Sequence, residues 1–299
     1  MHGRVTWLGR GLLAGLILAA AGLWTLARDP ATDRAYAGGL ESIRQAGTVR
    51  LGYANEAPYG YRDTATGRIT GEAPEVARVV LRRLGIERIE AVVTEFGALI
   101  PGLRAGRFDI IAAGMYITPA RCRRIAFSEP TYRIGEAFAV RAGNPLALHG
   151  YEDVARHPAA TLGVVGGAIE HTYARAVGIP EARVAVFPDN LSALTALRAG
   201  RIDAWAATRL TTLDLLRKAS TPQLELAEPF FDPVIGGQTI VGYGAFGFRL
   251  RDRALRAAFN RELDDFVGSD EHLRLTAPFG ITRDTLPGDV TTRELCGRT

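Results

Sequence analysis

Leu103-Arg104-Ala105-Gly106-Arg107-Phe108-Asp109 and Leu197-Arg198-Ala199-Gly200-Arg201-Ile202-Asp203 are close copies of one another, 94 positions apart. Each reads as the end of a helix, a glycine cap and the entry to a strand. One supersecondary unit used twice predicts two similar α/β lobes rather than a single large sheet. Working outward from the first copy, alternating apolar and polar residues predict strands over 48–53, 89–93 and 108–113. Helical spacing predicts helices over 73–84 and 97–105. Around the second copy the same rules predict strands over 161–165, 183–187 and 202–207, with helices over 168–176 and 190–198. A closing amphipathic helix over 251–266 carries Leu255, Phe259, Leu263 and Phe266 on one face.

Composition agrees with a folded chain of two domains. Of 299 residues, 47% are hydrophobic and 23% charged, unlike a disordered protein. The balance of 36 Lys+Arg against 32 Asp+Glu gives only +4, and no basic block is present to track phosphates, so nucleic acid is not an expected partner. Two cysteines are too few for a disulfide framework or a multi-cysteine metal site.

The amino terminus reads as an export signal. Arg4 and Arg10 precede an uncharged run over 11–27, and Ala35-Tyr36-Ala37 offers a small-x-small cleavage site. The distance of that site from the run leaves two outcomes open, a cleaved signal over 1–37 or a membrane tether through 11–27 with the basic end inside. Either places the body in the periplasm or another extracytoplasmic space. In an oxidising compartment, Cys122 and Cys296 are candidates for a disulfide that would pin the carboxyl tail to the body.

Catalytic motifs are missing. His2, His149, His157, His171 and His272 lie in no Gly-x-Ser-x-Gly, His-Glu-x-x-His or Cys-His context, and Gly163-Val164-Val165-Gly166-Gly167 lacks the spacing and lysine of a phosphate loop. No catalytic residue, cofactor or metal is expected. The informative residues sit at strand-to-helix turns, where α/β proteins hold ligands. Glu56, Tyr59 and Tyr61 follow the first strand, Phe96 closes the second, and Tyr116 and Arg121 flank Thr118-Pro119, an N-cap followed by proline at the first helical position. First turns favour acids, so a cation at Arg121 makes sense when an external anion completes the site.

Several of these runs together carry a resemblance. Gly52-Tyr53-Ala54-Asn55-Glu56-Ala57-Pro58-Tyr59-Gly60-Tyr61, Gly71-Glu72-Ala73-Pro74-Glu75-Val76, Thr94-Glu95-Phe96-Gly97-Ala98-Leu99-Ile100-Pro101-Gly102-Leu103 and the stretch from Arg107 to Pro130 resemble the family 3 extracellular solute-binding proteins of polar amino-acid uptake. Asn-Glu-Ala-Pro-Tyr-Gly-Tyr and Gly-Glu-Ala-Pro-Glu are most similar to the ectoine/hydroxyectoine-binding branch. The resemblance implies a two-lobed type II periplasmic-binding-protein fold, with two Rossmann-like α/β lobes joined by two hinge strands near 131–135 and 242–247. Lobe 1 would comprise 40–133 with 245–299, and lobe 2 would comprise 134–244.

It also implies roles. Arg121 would grip a ligand carboxylate, helped by backbone N–H groups near Gly114, Tyr116, Gly167 and Ala168. Tyr59, Phe96 and Tyr116 would be aromatic walls, and Glu56 would pair with a cationic amidine. Thr208 stands where amino-acid binders commonly carry an aspartate for the α-ammonium, a departure that turns the reading from an α-amino acid toward ectoine. The implied protein is a monomer that delivers its small zwitterion to an ABC permease and its ATPase. Two other readings stay open: a binder of an ordinary polar amino acid, and a cyclohexadienyl (prephenate/arogenate) dehydratase on the same fold with Glu170 as its acid.

Overall fold

The computed structural model describes residues 39–220 and 222–297; the expected signal or tether, with its cleavage site, lies outside the described residues. The chain begins with α1 (Leu40–Ala46), β1 (Thr48–Tyr53), the hairpin β2 (Tyr61–Arg62) and β3 (Ile69–Thr70), and α2 (Glu72–Arg83). It continues through β4 (Arg88–Val93), α3 (Leu99–Arg104), β5 (Ile110–Tyr116), α4 (Pro119–Cys122), β6 (Ala126–Phe127) and β7 (Tyr132–Ile134). The middle runs β8 (Glu136–Arg141), α5 (Tyr151–Arg156), β9 (Leu162–Val165), α6 (Glu170–Ala176), β10 (Val184–Phe187) and α7 (Asn190–Arg198). Next come β11 (Ala204–Thr208), α8 (Arg209–Ala219), β12 (Leu224–Leu226) and the hairpin β13 (Val234–Ile235) and β14 (Gln238–Thr239). The last elements are β15 (Gly242–Phe248), α9 (Arg253–Asp264), α10 (Asp270–Thr276) and α11 (Thr292–Gly297).

Two sheets organise the molecule. The first has the order β4-β1-β5-β15-β6, with β7 also paired to β15; the second has the order β10-β9-β11-β8-β12. In each, three parallel strands meet one antiparallel strand that comes from the far side of a crossover, β15 beside β5 and β8 beside β11.

Both sheets are covered on both faces, which explains their nearly continuous apolar strands. In β5, Ile110 and Ala112 pack with Val76 and Val80 of α2 and Phe259 of α9, while Ile111, Ala113 and Met115 pack with Leu99 and Leu103 of α3 on the other face. In β11, Ala204 and Ala206 join one core and Trp205 and Ala207 the other. This alternation is the period-2 geometry of a strand. Each fully buried Leu or Phe contributes roughly 1.5–3 kcal/mol relative to exposure.

Helix α7 lies where its spacing predicts it. Strand β5 differs, starting at Ile110 and running past Gly114 to Tyr116, because β15 pairs with its far end at Tyr116 and Met115. A partner more than a hundred residues away cannot be read from local alternation. Strand β8 and helix α8, which pack on each other, are absent from the sequence reading for the same reason.

The chain leaves the first sheet between β7 and β8 and returns between β14 and β15. Ile134 pairs with Gly242, so the two connections run side by side as a hinge. Cys122 and Cys296 are disulfide-bonded across 174 residues and fasten α11 to α4. Among the described residues no helix is long and apolar enough to cross a membrane.

Candidate functional site

The carboxyl ends of β1, β4 and β5 face those of β9 and β11 across the cleft. Thr118 caps α4 by accepting the Arg121 N–H at 3.2 Å, and Pro119 fills the first helical position. This local geometry aims Arg121 into the cleft. Its Nη1 donates to the Tyr116 carbonyl at 2.8 Å and its Nη2 to the Gly167 carbonyl of the other lobe at 3.0 Å. A guanidinium has five N–H donors, so these bonds do not exhaust it. Its carbon lies 5.6 Å from the centre of the Phe96 ring, which opens the 3-10 turn after β4.

Glu56 sits in the turn after β1, held by its N–H to the Ala54 and Gly60 carbonyls. The Thr211 hydroxyl of lobe 2 donates to its Oε1 at 3.0 Å. Burial raises its pKa, while hydrogen bonds from Thr211 and Asn190 act in the opposite direction. Tyr59 is buried, stacks on Tyr132 at 5.3 Å and donates its hydroxyl to Thr208 Oγ1 at 2.9 Å. Gly114, at φ +62°, lies beneath both rings; a Cβ there would sit 2.6 Å from the Tyr132 hydroxyl and from the Tyr59 ring. Tyr116 donates its hydroxyl to the Ile134 carbonyl at 3.1 Å and so ties the site to the hinge.

Glu56, Tyr59, Phe96, Gly114, Tyr116, Arg121, Ala168 and Thr208 line one narrow space, joined by Ala113, Ile169 and Glu170. Two expectations need correction. The Ala168 N–H is engaged by the Val165 carbonyl at 3.2 Å and is not a free donor. Gly167 offers the cleft a carbonyl, which receives Arg121, and is not among the lining residues. Its own role is closeness: at φ +80°, a Cβ on Gly167 would fall 2.5 Å from the Gly97 Cα.

Thr208 caps α8 by accepting the Thr211 N–H and also receives the Tyr59 hydroxyl, so its oxygen is served by the protein itself. Carboxyls are nevertheless present on lobe 2. Glu170 lines the cavity, and Glu136 lies level with Thr208 in the β8–β11 register. Burial pushes Glu170 up to about 7 and Glu136 well above the usual carboxylate range; the Glu170 charge raises Glu136 further, whereas the hydrogen bond with Glu136 lowers Glu170 and the Glu56 charge raises it. Sequence reasoning missed Glu136 altogether. Its one signal was the preceding Gly135, a break that marks the crossover without revealing what the next side chain meets. Among the described residues no group of three or more His, Cys, Asp or Glu side chains is placed to hold a metal.

Comparison with known proteins agrees with this architecture. The model of the bacterial extracellular solute-binding proteins, family 3, matches residues 49–280. A probable amino-acid ABC transporter periplasmic-binding protein of Sinorhizobium fredii is 41% identical over 261 residues, covering 86% of this chain and 85% of its own length. A probable histidine-binding protein of Campylobacter jejuni is 27% identical over 219 residues, covering 73% and 79%. Among solved structures, EhuB in complex with hydroxyectoine superposes with a TM-score of 0.79 at 38% identity, covering 87% of this chain and 98% of that one.

Proposed function

This chain belongs to the bacterial extracellular solute-binding proteins of family 3, and from that premise we propose that its cleft captures ectoine, hydroxyectoine or a similar small zwitterion. It is the solute-binding component of an ABC importer of the amino-acid type. The observation that carries the ligand reading is the single cavity in which a guanidinium, carboxyls and three aromatic rings meet. Arg121 clasps the ligand carboxylate with the N–H groups its two carbonyl bonds leave over, in the fork geometry a guanidinium supplies. Phe96, Tyr59 and Tyr116 line the cationic end, where ring faces attract positive charge. Glu56 neutralises that charge. The likeness to EhuB, which binds hydroxyectoine, supports the same class of ligand.

The missing aspartate at Thr208 disfavours an α-ammonium only if no other acid replaces it, and Glu170 lines the same space. The choice of ectoine over an α-amino acid therefore rests on the EhuB likeness and the aromatic walls.

Capture proceeds by hinge closure about the β7–β15 pair, and exclusion of water strengthens the ion pairs inside. The closed protein then delivers its ligand to the permease and ATPase from outside the cytoplasmic membrane, acting as a monomer. A thermal-shift screen of compatible solutes and amino acids tests the reading. Ectoine or hydroxyectoine should raise the melting temperature most, because stabilisation follows ligand concentration over Kd. A common amino acid shifting it more would overturn the assignment.

Glu170 keeps a second reading alive, because a cleft carboxyl with its pKa raised to about 7 suits a general acid, as dehydration of prephenate or arogenate requires. Glu56, Glu136 and Glu170 crowd the same region and would repel the extra carboxylate of those substrates, so binding without chemistry is favoured. Incubation with prephenate should yield no product.

A further inference from the structure

Lobe 2 brings to the cleft two carboxyls that the clasp above leaves unused. Glu170 lines the cavity with Arg121 and Glu56, and Glu136 stands behind it at the start of β8. Their residues are 4% and 2% exposed. Both Glu136 oxygens and Glu170 Oε2 are buried without a hydrogen-bond partner among the described residues, and the one backbone N–H that acts on the Glu170 carboxyl is its own. What they meet is each other, a contact that becomes a hydrogen bond only when a proton lies between two carboxyls.

The surroundings offer little relief. Glu56 from the turn after β1 and Asp232 from the return segment face the pair with carboxyls, and Tyr151 of α5 and Tyr173 of α6 face it with hydroxyls that the two carboxyls keep protonated. Arg121 of α4 is the cation that acts on Glu170, yet its Nη1 and Nη2 donate to the Tyr116 and Gly167 carbonyls. The Tyr151 hydroxyl, an independent group, is also buried without a partner. A buried acceptor left without a donor forfeits its hydration with nothing in return. Leaving one beside a ligand cavity is physically reasonable when the ligand supplies the donor.

We propose that the Glu136–Glu170 pair is the N–H acceptor of the cleft, selecting zwitterions whose cationic end carries at least one N–H, an amidinium or protonated amine, over zwitterions whose nitrogen is fully alkylated. Glu170 meets the ligand; Glu136 is a positioning residue that shares a proton with it. The inference rests on the cleft being a zwitterion site, and it separates two forces. Aromatic faces hold a quaternary ammonium as readily as a protonated one, so a preference for N–H must come from an acceptor.

Titration calorimetry on the purified chain tests this with ectoine and with a matched pair, L-proline and N,N-dimethyl-L-proline. The N–H member of the pair should bind at least about tenfold more tightly. Glu170→Leu, which removes both oxygens, should shrink that ratio to within about threefold by weakening the N–H ligand alone, a change in selectivity that general loosening of the cleft would not produce. Glu136→Gln should shrink it less. An unchanged ratio in Glu170→Leu, or equal binding of the two prolines by the parent chain, overturns the proposal. If Glu170→Leu does not fold by circular dichroism, Glu170→Ala, which also lacks both oxygens, decides on the same ratio. Should ectoine fail to bind while the proline pair is discriminated, the ligand reading above fails and this one stands; if nothing in the panel binds, both fall.

Discussion

In lobe 1, β5 ends at Tyr116, Thr118 caps the next helix, and the third residue after the cap is Arg121. In lobe 2, β11 ends at Thr208, which caps the next helix, and the third residue after the cap is Thr211. Both third residues reach across the cleft, Arg121 to the Gly167 carbonyl and Thr211 to the Glu56 carboxylate. The scaffold beneath them is duplicated more strictly. Asp109 accepts the Arg50 N–H at 3.1 Å, and Asp203 accepts the Thr161 N–H at 3.0 Å, each stapling a parallel strand pair. Gly52 lies under Phe108 and Gly163 under Ile202, where a Cβ would come within 2.4 Å and 2.3 Å of the ring or the methyl group. The lesson is that the two lobes keep the residues that build the sheet and diverge where a ligand would be touched. Lobe 1 carries the cation, the aromatic rings and Glu56, and lobe 2 carries two further acids and the hydroxyls.

Exchanging the two third residues for alanine should expose that asymmetry most strongly. Arg121→Ala should cost about 2–5 kcal/mol of ectoine binding by calorimetry, as for truncating one partner of a buried charge pair. Thr211→Ala, losing one hydrogen bond to a carboxylate, should cost about 1.5–3 kcal/mol. Equal losses would break the comparison. Next in size is the backbone contact between lobes. Gly167→Ala places a Cβ against the Gly97 backbone, so closure should be hindered and apparent affinity should fall on the order of tenfold, in proportion to the lost closed population. Small-angle scattering in the presence of ligand should then report a larger radius of gyration than for the parent chain.

Phe96→Ala removes a ring that lobe 2 does not match, since Asp189-Asn190 stands at the equivalent strand end as a helix cap. The loss should be about 0.5–2 kcal/mol, the span of a cation–π contact. The effect expected to touch ligand binding least concerns Glu72, buried in lobe 1 at the start of α2, where it accepts the Thr131 hydroxyl of the hinge segment at 3.0 Å. Burial raises its pKa from 4.5 to about 8. The folded chain therefore holds a proton that the unfolded chain releases between those values, so this contribution is complete below about pH 4.5 and is lost as pH climbs through 8. Glu72→Gln should show a smaller fall in melting temperature from pH 5 to pH 8 than the parent chain.

Much of lobe 1's site could be read in advance because each of its residues sits within a few positions of a strand end, and strand ends are marked by local pattern. Thr118-Pro119 fixes the helix start by φ and by its cap, and with it the direction of Arg121. Phe96 and Glu56 follow strands whose alternation is plain. Lobe 2 was less open to such reading. Glu136 follows a crossover, and it meets Glu170, Asp232 and Tyr151, none of them near it in sequence. The N–H of Ala168 looked available until the turn back to Val165 took it.

The amino-acid sequence by itself determined the duplicated plan, the positions of most strands and helices, and which side chains stand at the mouth of each strand. Those follow from local backbone preferences and from a two-residue or 3.6-residue period, which act over a few neighbours. Tertiary structure alone decided how far β5 extends, which hydroxyls serve Glu56 and Tyr59, and that two buried acids of lobe 2 meet beside the cleft. Burial and charge are set by whatever packs against a group in space, and a hinged fold brings together residues that the chain separates by 155 positions, as between Glu56 and Thr211.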